Sequence, residues 1–299
     1  MNPSIPQLTI QQLEYLTAVA AEDTWAQAAG RLHVTPSALS QGLAELERRL
    51  GVKLFERQGR RRVLSEDGHH VVAYATNVVA QTTDLGRWAE DTQSGTSGTL
   101  RIGMTDVGAV AHFPHTLRTF REQNPKLDLH LTVAPSRELV NDVLAGQLAF
   151  ALIVKPSTPI VDCRLTDVVA EDLAIYSPGQ IKQRNPQLWG PWVLFPEASH
   201  TRQLVTAALR ACGAPVNVSA VSNQPDVLRE MVNLNMGWTV LPVVQAEHGP
   251  APLSRARPAP LVQRHLVVAQ RETALPNPAA ERLIEALLSA ARNLQPPTT

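Results

Sequence analysis

The sequence predicts an all-α winged helix-turn-helix segment with a long trailing helix, followed by an α/β body. Three observations predict it. The first ninety or so residues carry apolar side chains at helical spacing, broken once by a short glycine-centred hairpin pattern. The stretch "TQSGTSG", residues 92–98, is rich in Gly, Ser and Thr and reads as a hinge. Beyond it, apolar strand-like runs alternate with helical segments, the pattern of an α/β fold.

Each element of the first part has a local cause. "LTIQQLEYLTAVAAE" puts Ile10, Leu13, Leu16 and Ala20 at helical spacing. Asp23 or Thr24 can cap a short helix from Trp25 to Leu32. Thr35 is a good N-cap, Pro36 suits the first helical position, and Leu39, Leu43, Leu46 and Leu50 then line one face until Gly51 stops the helix. Leu54-Phe55 and Val63-Leu64 flank Gly59, which predicts a two-stranded wing. Ser65 caps a long helix from Glu66 to about Thr92. Along it Val71, Ala75, Val78, Thr82, Leu85 and Ala89 alternate steps of four and three, a seam suited to a second copy of itself. Val71, Val78 and Leu85 are the candidate dimerisation residues; packing on its own domain is the alternative.

The body begins with "TLRIGM", a strand, and "GAVAHFPHTLRTFREQNP", a helix. "LDLHLTVA" follows as a strand, "SRELVNDVLAGQ" as a helix and "LAFALIV" as a buried strand. The alternation resumes with "EDLAIYSP", "PWVLFP", "TRQLVTAALRACG", "NVSAVS", "QPDVLREMVNLNMG", "WTVLP" and "HLVVAQ", and ends with a helix over residues 279–293. Such alternation predicts a parallel sheet.

Composition excludes whole classes of function. The chain has 299 residues, enough for two or three domains. Lys+Arg and Asp+Glu both number 27, so no bulk field draws the chain to nucleic acid or an anionic membrane; clustering must do so. Residues 1–95 are slightly acidic, yet seven of their nine basic side chains fall between Arg48 and Arg62, with Glu56 the one acid among them. In a winged helix-turn-helix the third helix enters the major groove and the wing touches backbone. Thr35, Pro36, Ser37, Ser40 and Gln41 lie on the first turns, where short hydrogen-bonding side chains reach base edges. Arg48, Arg60, Arg61 and Arg62 are candidates for phosphate contact. The partner expected is double-stranded DNA. Two cysteines, Cys163 and Cys212, make no disulfide framework and suit a reducing compartment. The N-terminus lacks a signal-peptide pattern and no apolar run spans a bilayer, so the expected location is the cytoplasm, with no membrane partner.

The stretch "AAGRLHVTPSALSQGLAELERRLGVKLFERQGRRRVLSEDG" resembles the DNA-binding signature of the LysR-type bacterial transcriptional regulators. Ala28-Ala29, Leu32, Ser40, Leu46-Glu47, Leu50-Gly51, Leu54-Phe55, Arg57 and Gly68 carry it. The long helix, "GTLRIGM" and "MVNLNMGWTVLP" extend the resemblance over essentially the whole chain. It implies a DNA-binding domain over 1–65, a linker helix over 66–92, a hinge over 93–98 and an effector domain over 99–299. That effector domain would have two periplasmic-binding-protein-like subdomains, about 99–160 with 270–295, and about 161–269. A small molecule would bind between them and change how the protein holds its promoter. A homodimer or homotetramer, and RNA polymerase if the protein activates, are the further partners implied. The chain departs from the pattern at Pro36, where the family commonly has a base-reading glutamine, and at Asn235 and Trp238. Gly42 inside the third helix reads as a tolerated surface glycine, costing about 1 kcal/mol against Ala.

Enzyme signatures are missing. The sequence shows no CxxC, HExxH, P-loop, GxGxxG or GxSxG pattern, so neither metal nor cofactor is expected, nor catalysis. A redox-responsive regulator using Cys163 and Cys212 and a solute-binding protein built on the same lobes are the alternatives. In a two-lobed α/β domain the ligand sits beyond the carboxyl ends of strands, beside helix N-termini. Thr105, Asp106, Ser136, Ile153, Ser199 and Thr201 occupy such positions, and the resemblance adds Met236 to Trp238. An inward Asp106 disfavours a purely anionic ligand.

Overall fold

The computed structural model describes residues 7–58, 61–94, 98–248 and 251–294. The chain forms two compact units, one built chiefly on Met1–Thr92 and the other on Gln93–Val143, Leu148–Glu272 and Pro276–Thr299.

In the first unit α1 (Ile10–Ala21) starts at a capping box of Thr9 and Gln12. Its buried face is Leu13, Tyr15, Leu16, Ala18 and Val19; Ile10 is 44% exposed and Ala20 is exposed. Both outliers sit at the ends of the helix. Thr24 caps α2 (Trp25–Arg31), its side chain accepting from the Gln27 N–H. Thr35 caps α3 (Pro36–Leu50) by accepting from the Ala38 N–H, and Gly51 closes it at φ 73°. Leu39, Leu43 and Leu46 are buried, while Leu50 is half-buried.

The wing pairs β1 (Phe55–Gln58) with β2 (Arg61–Leu64) in antiparallel register, Phe55 opposite Leu64 and Gln58 opposite Arg61. Gly59 and Arg60 lie outside the described residues, as do residues 95–97 of the hinge. Ser65 ties the wing to α4 (Glu66–Ser94): its hydroxyl donates to the Lys53 carbonyl at 2.6 Å and accepts from the Gly68 N–H at 2.9 Å. A Cβ on Gly68 would lie 2.2 Å from the Leu54 carbonyl oxygen, so only glycine fits there. Gly42 is no idle surface glycine either, since a Cβ would stand 2.7 Å from the Tyr15 ring. On α4, Val71 and Val78 are half-buried against this unit's own core, whereas Tyr74 and Leu85 are 63% and 55% exposed.

The second unit carries a six-stranded sheet in the order β4-β3-β5-β10-β6-β9. Strand β3 (Thr99–Met104) runs parallel to β4 (Asp128–Val133) and β5 (Phe150–Val154). Helices α5 (Pro114–Gln123) and α6 (Ser136–Leu144) make the crossovers. The expected all-parallel sheet is mixed, because β10 (Val262–Arg271) runs antiparallel to both β5 and β6 (Cys163–Tyr176). These two long strands carry both lobes. Strand β10 meets β5 over Leu266–Ala269, and β6 meets β9 (Thr239–Pro242) over Leu173–Tyr176. The second lobe adds the parallel pair β7 (Trp192–Leu194) and β8 (Val218–Val221), with α7 (His200–Ala211), α8 (Pro225–Asn233) and the short α9 (Val243–Ala246). Helix α10 (Pro278–Leu294) packs Leu283 and Leu287 into the first lobe's core beside Ile102, Phe113, Phe150 and Leu266.

Candidate functional site

Two surfaces could hold a ligand. The first is the outer side of α3. Its leucines face the core, so 3.6-residue periodicity turns Pro36, Ser37 and Gln41 to solvent and leaves Ser40 half-buried. Thr35 is engaged as the cap and sits 3.1 Å from the Ser37 hydroxyl. Arg48, 71% exposed on its side chain, forks onto Glu45 at 2.5 and 2.6 Å, and Arg49 adds a third bond at 2.6 Å. These bonds pull the Glu45 carboxyl down to about 2. Glu45 lies one turn ahead of the basic cluster, outside the window in which the sequence counts only Glu56. In the wing, the Arg62 guanidinium stands over the Trp25 ring, 5.1 Å from its centroid, and Trp25 meets Phe55 edge-on at 4.9 Å. The side chains of Arg60 and Arg61 are outside the described residues.

The second surface is a cavity of about 650 Å³ within the α/β unit. It lies beyond the carboxyl ends of β3, β4 and β5 and at the N-termini of α6, α7 and α8, as parallel strand-helix units dictate. The Ser136 hydroxyl accepts from the Val154 N–H at 3.1 Å, and the Val154 carbonyl lies 3.2 Å from His200 Nδ1. A carbonyl only accepts, so Nδ1 is the donor in this hydrogen bond. Arg264 donates to the Thr201 hydroxyl at 2.7 Å and to Glu171 at 2.5 Å. His112 closes this chain on the other Glu171 oxygen at 3.0 Å. Burial pushes the Glu171 carboxyl up, but Arg264 and His112 together outweigh it and hold it below the ordinary carboxylate range. Across the cavity Gln245 Nε2 donates to Asp106 at 2.6 Å. Glu247, next to α9, accepts from the Tyr176 hydroxyl at 3.0 Å and from Arg255, which anchors the turn carrying Gln245. Burial, then the Glu247 charge, pushes the Tyr176 phenol well up, so it stays a donor.

Thr105, Asp106, Ser136, Ser199 and Thr201 all stand on this wall. Ile153 does not: it is fully buried inside β5, and Val154 takes the wall position. Trp238 does not either. Its N–H donates to the Pro191 carbonyl at 2.7 Å, and its ring packs 6.3 Å from Trp189 and 6.2 Å from Trp192 in the second lobe's core. Met236 is off the wall and 46% exposed. Sequence reasoning missed Arg264, Gln245 and His200. An arginine within the apolar strand "VQRHLVVAQ" was the one available signal, since such a charge needs a buried partner. Cys163 is buried, and burial pushes its thiol up. Among the described residues no helix is long and apolar enough to cross a membrane, and no cluster of His, Cys, Asp or Glu is placed to hold a metal.

Residues 10–69 match the family model for bacterial regulatory helix-turn-helix proteins of the lysR family, and residues 93–292 match that for the LysR substrate binding domain. The chain is 34% identical over 145 residues to a probable RuBisCO transcriptional regulator of Nostoc sp., taking in 48% of this chain and 43% of that one. The match thus spans about half the length of the curated relatives of this kind. A match at 25% identity to the uncharacterized HTH-type transcriptional regulator YfeR of Shigella flexneri covers 92% of both chains. Among solved structures, full-length OxyR from Pseudomonas aeruginosa aligns at TM-score 0.63 and 22% identity, covering 96% of this chain and 95% of that one. Full-length CbnR in a complex with its target DNA aligns at TM-score 0.60 and 21% identity, over 95% and 100%. At these identities the two structures speak for the fold.

Proposed function

Because this chain belongs to the LysR family of bacterial helix-turn-helix regulators, we propose that it binds promoter DNA through α3 and the wing and is controlled by a small molecule held in the α/β cavity. The observation that carries this reading is the order of parts. A capped helix with free polar side chains precedes, in one chain, an α/β unit whose cavity gathers polar side chains from distant elements. Pro36, Ser37, Ser40 and Gln41 face bases in this reading, and Arg48, Arg60, Arg61 and Arg62 face phosphates. Arg48 must exchange Glu45 for phosphate to do so. The protein acts as a homodimer or homotetramer in the cytoplasm without catalysis, and meets RNA polymerase if it activates. Among the described side chains of α4, the exposed large apolar ones left for a second copy are Tyr74 and Leu85, because Val71 and Val78 already lean on their own unit.

The test is a thermal-shift screen of aromatic acids, amines, amino acids and central metabolites against the full chain. A ligand of the folded state stabilises it by about 2.7 kcal/mol at a hundredfold excess over its Kd. A hit is expected to shift the affinity for promoter DNA and to bind more weakly to Thr201→Val, which keeps the shape and removes the hydroxyl. Hits that bind Thr105→Val and Thr201→Val as tightly as the wild type would place the effector elsewhere.

A further inference from the structure

We propose that the effector carries a protonated nitrogen, and that this group docks on the Asp106 carboxylate and the Gln245 side-chain oxygen. The inference rests on the cavity being the effector site and goes on to name the chemistry of its ligand.

Two of the wall's charges are already paired. Arg264 lies 2.5 Å from Glu171. Asp226 lies 2.8 Å from Arg229. Arg137 and Glu138 are opposite in sign and both exposed, so solvent screens them. Among the charged side chains of the wall that are not fully exposed this leaves Asp106, whose hydrogen bond among the described residues comes from an uncharged amide. At the Asp106 end a carboxylate or phosphate would therefore face an uncompensated negative charge, in a setting less polar than water. An ammonium or guanidinium would meet its counter-charge.

The hydrogen-bond inventory points the same way. An ionised carboxylate only accepts, so the Gln245 atom bonded to Asp106 must be the amide nitrogen. That fixes the flip of the amide and leaves Oε1 as an acceptor. Gln245 Oε1 is buried without a hydrogen-bond partner among the described residues, and so is the Thr105 hydroxyl oxygen, on a residue only 9% exposed. Both side chains stand on the cavity wall. A carboxylate and an amide oxygen only accept and so ask for N–H donors, which a protonated nitrogen supplies several at once; the Thr105 hydroxyl, on the residue before Asp106, is able to accept as well. The rest of the wall, with Val133, Val154 and Phe195, takes an apolar body.

Isothermal titration of the full chain with benzylamine, benzyl alcohol and benzoate decides the point, since the three share a ring and differ in the group presented. Benzylamine is expected to bind at least tenfold more tightly than benzoate, about 1.4 kcal/mol. Asp106→Asn, which keeps an oxygen for Gln245 and removes the charge, is expected to erase that preference. Equal or tighter binding of benzoate, no binding of benzylamine, or a preference that persists in Asp106→Asn overturns the proposal. If benzoate is preferred and Thr201→Val weakens it, the cavity is the effector site and only its chemistry has been misassigned. Benzylamine that binds both Asp106→Asn and Thr201→Val unchanged binds elsewhere, and the cavity reading fails with it.

Discussion

The polar face of α3 draws Thr35, Ser37 and Gln41 from one short run of chain, whereas the cavity gathers Asp106, Thr201, Gln245 and Arg264 from four stretches that only the fold brings together. On α3 the side chains point to solvent and owe their placement to a local cap. In and behind the cavity these polar groups are partners to one another: Arg264 to Thr201 and Glu171, Glu171 to His112, Gln245 to Asp106. Exposed polar groups can be exchanged without unfolding anything. Buried ones are coupled to stability, because removing one leaves its partner desolvated and unsatisfied. Substitutions on α3 should therefore change recognition, and substitutions behind the cavity should change stability first.

The sharpest contrast comes from Glu171. Glu171→Gln leaves the Arg264 guanidinium buried without its counter-charge, and the expected loss is about 3–5 kcal/mol. Urea unfolding followed by tryptophan fluorescence reports it, since Trp189, Trp192 and Trp238 sit in the same unit's core. The pH dependence has a definite sign. The folded-state Glu171 carboxyl is held below its ordinary value, so its stabilisation is full above the ordinary carboxylate range and is lost as pH falls through the lowered folded value. The variant should therefore show a flatter acid limb than the wild type. A loss no larger than that of an exposed Gln41→Ala would break the comparison.

How much of this was legible in the sequence differs between the regions for the same reason. Thr35, Pro36 and Gly51 mark both ends of α3, because caps are local chemistry and need no knowledge of the fold. The wing and Gly68 also sit within a short window. A rule of position, the ends of parallel strands and the starts of helices, is enough to bring Thr105, Ser136 and Thr201 to the cavity wall, whatever they bind there. Arg264 is beyond that rule, because it lies on an antiparallel strand that returns after a hundred residues, and no periodicity says which neighbour it meets. The first half of β6 was missed as well: Arg164, Thr166 and Asp167 break its apolar run, yet pairing with β10 extends it to 14 residues. Trp238 was placed by resemblance and went instead to the core, where two further tryptophans outweigh the cavity as packing partners.

The inward side of α3 should behave like the cavity rather than like its own outer face, and Gly42 tests that. Helix propensity alone favours Gly42→Ala by about 1 kcal/mol. The structure sets against this a Cβ 2.7 Å from the Tyr15 ring of α1, an overpacking that costs about 1–3 kcal/mol. The expected outcome is net destabilisation of the first unit, read from its unfolding transition. Pairing Gly42→Ala with Tyr15→Leu should recover part of the loss. A more stable single variant would show that α1 and α3 shift apart freely.

The smallest effect expected is at the wing, and it separates position from charge. Arg62 is exposed, and its guanidinium is held over Trp25, a contact worth about 0.5–1 kcal/mol at such a site. Trp25→Phe keeps an aromatic edge for Phe55 and weakens the platform under the arginine. If Arg62 reaches phosphate from this perch, the variant pays a little more to order the arginine on binding. DNA affinity should then fall less than tenfold, while the slope of log affinity against log salt stays as it was, because the charge is still present. Arg62→Ala removes the charge itself and should lower that slope by about one. The two variants thus distinguish an arginine that is positioned from one that is merely nearby. Trp25→Phe with unaltered affinity would mean that the wing finds phosphate without the tryptophan, and a changed salt slope in that variant would mean that the ring acts on more than Arg62.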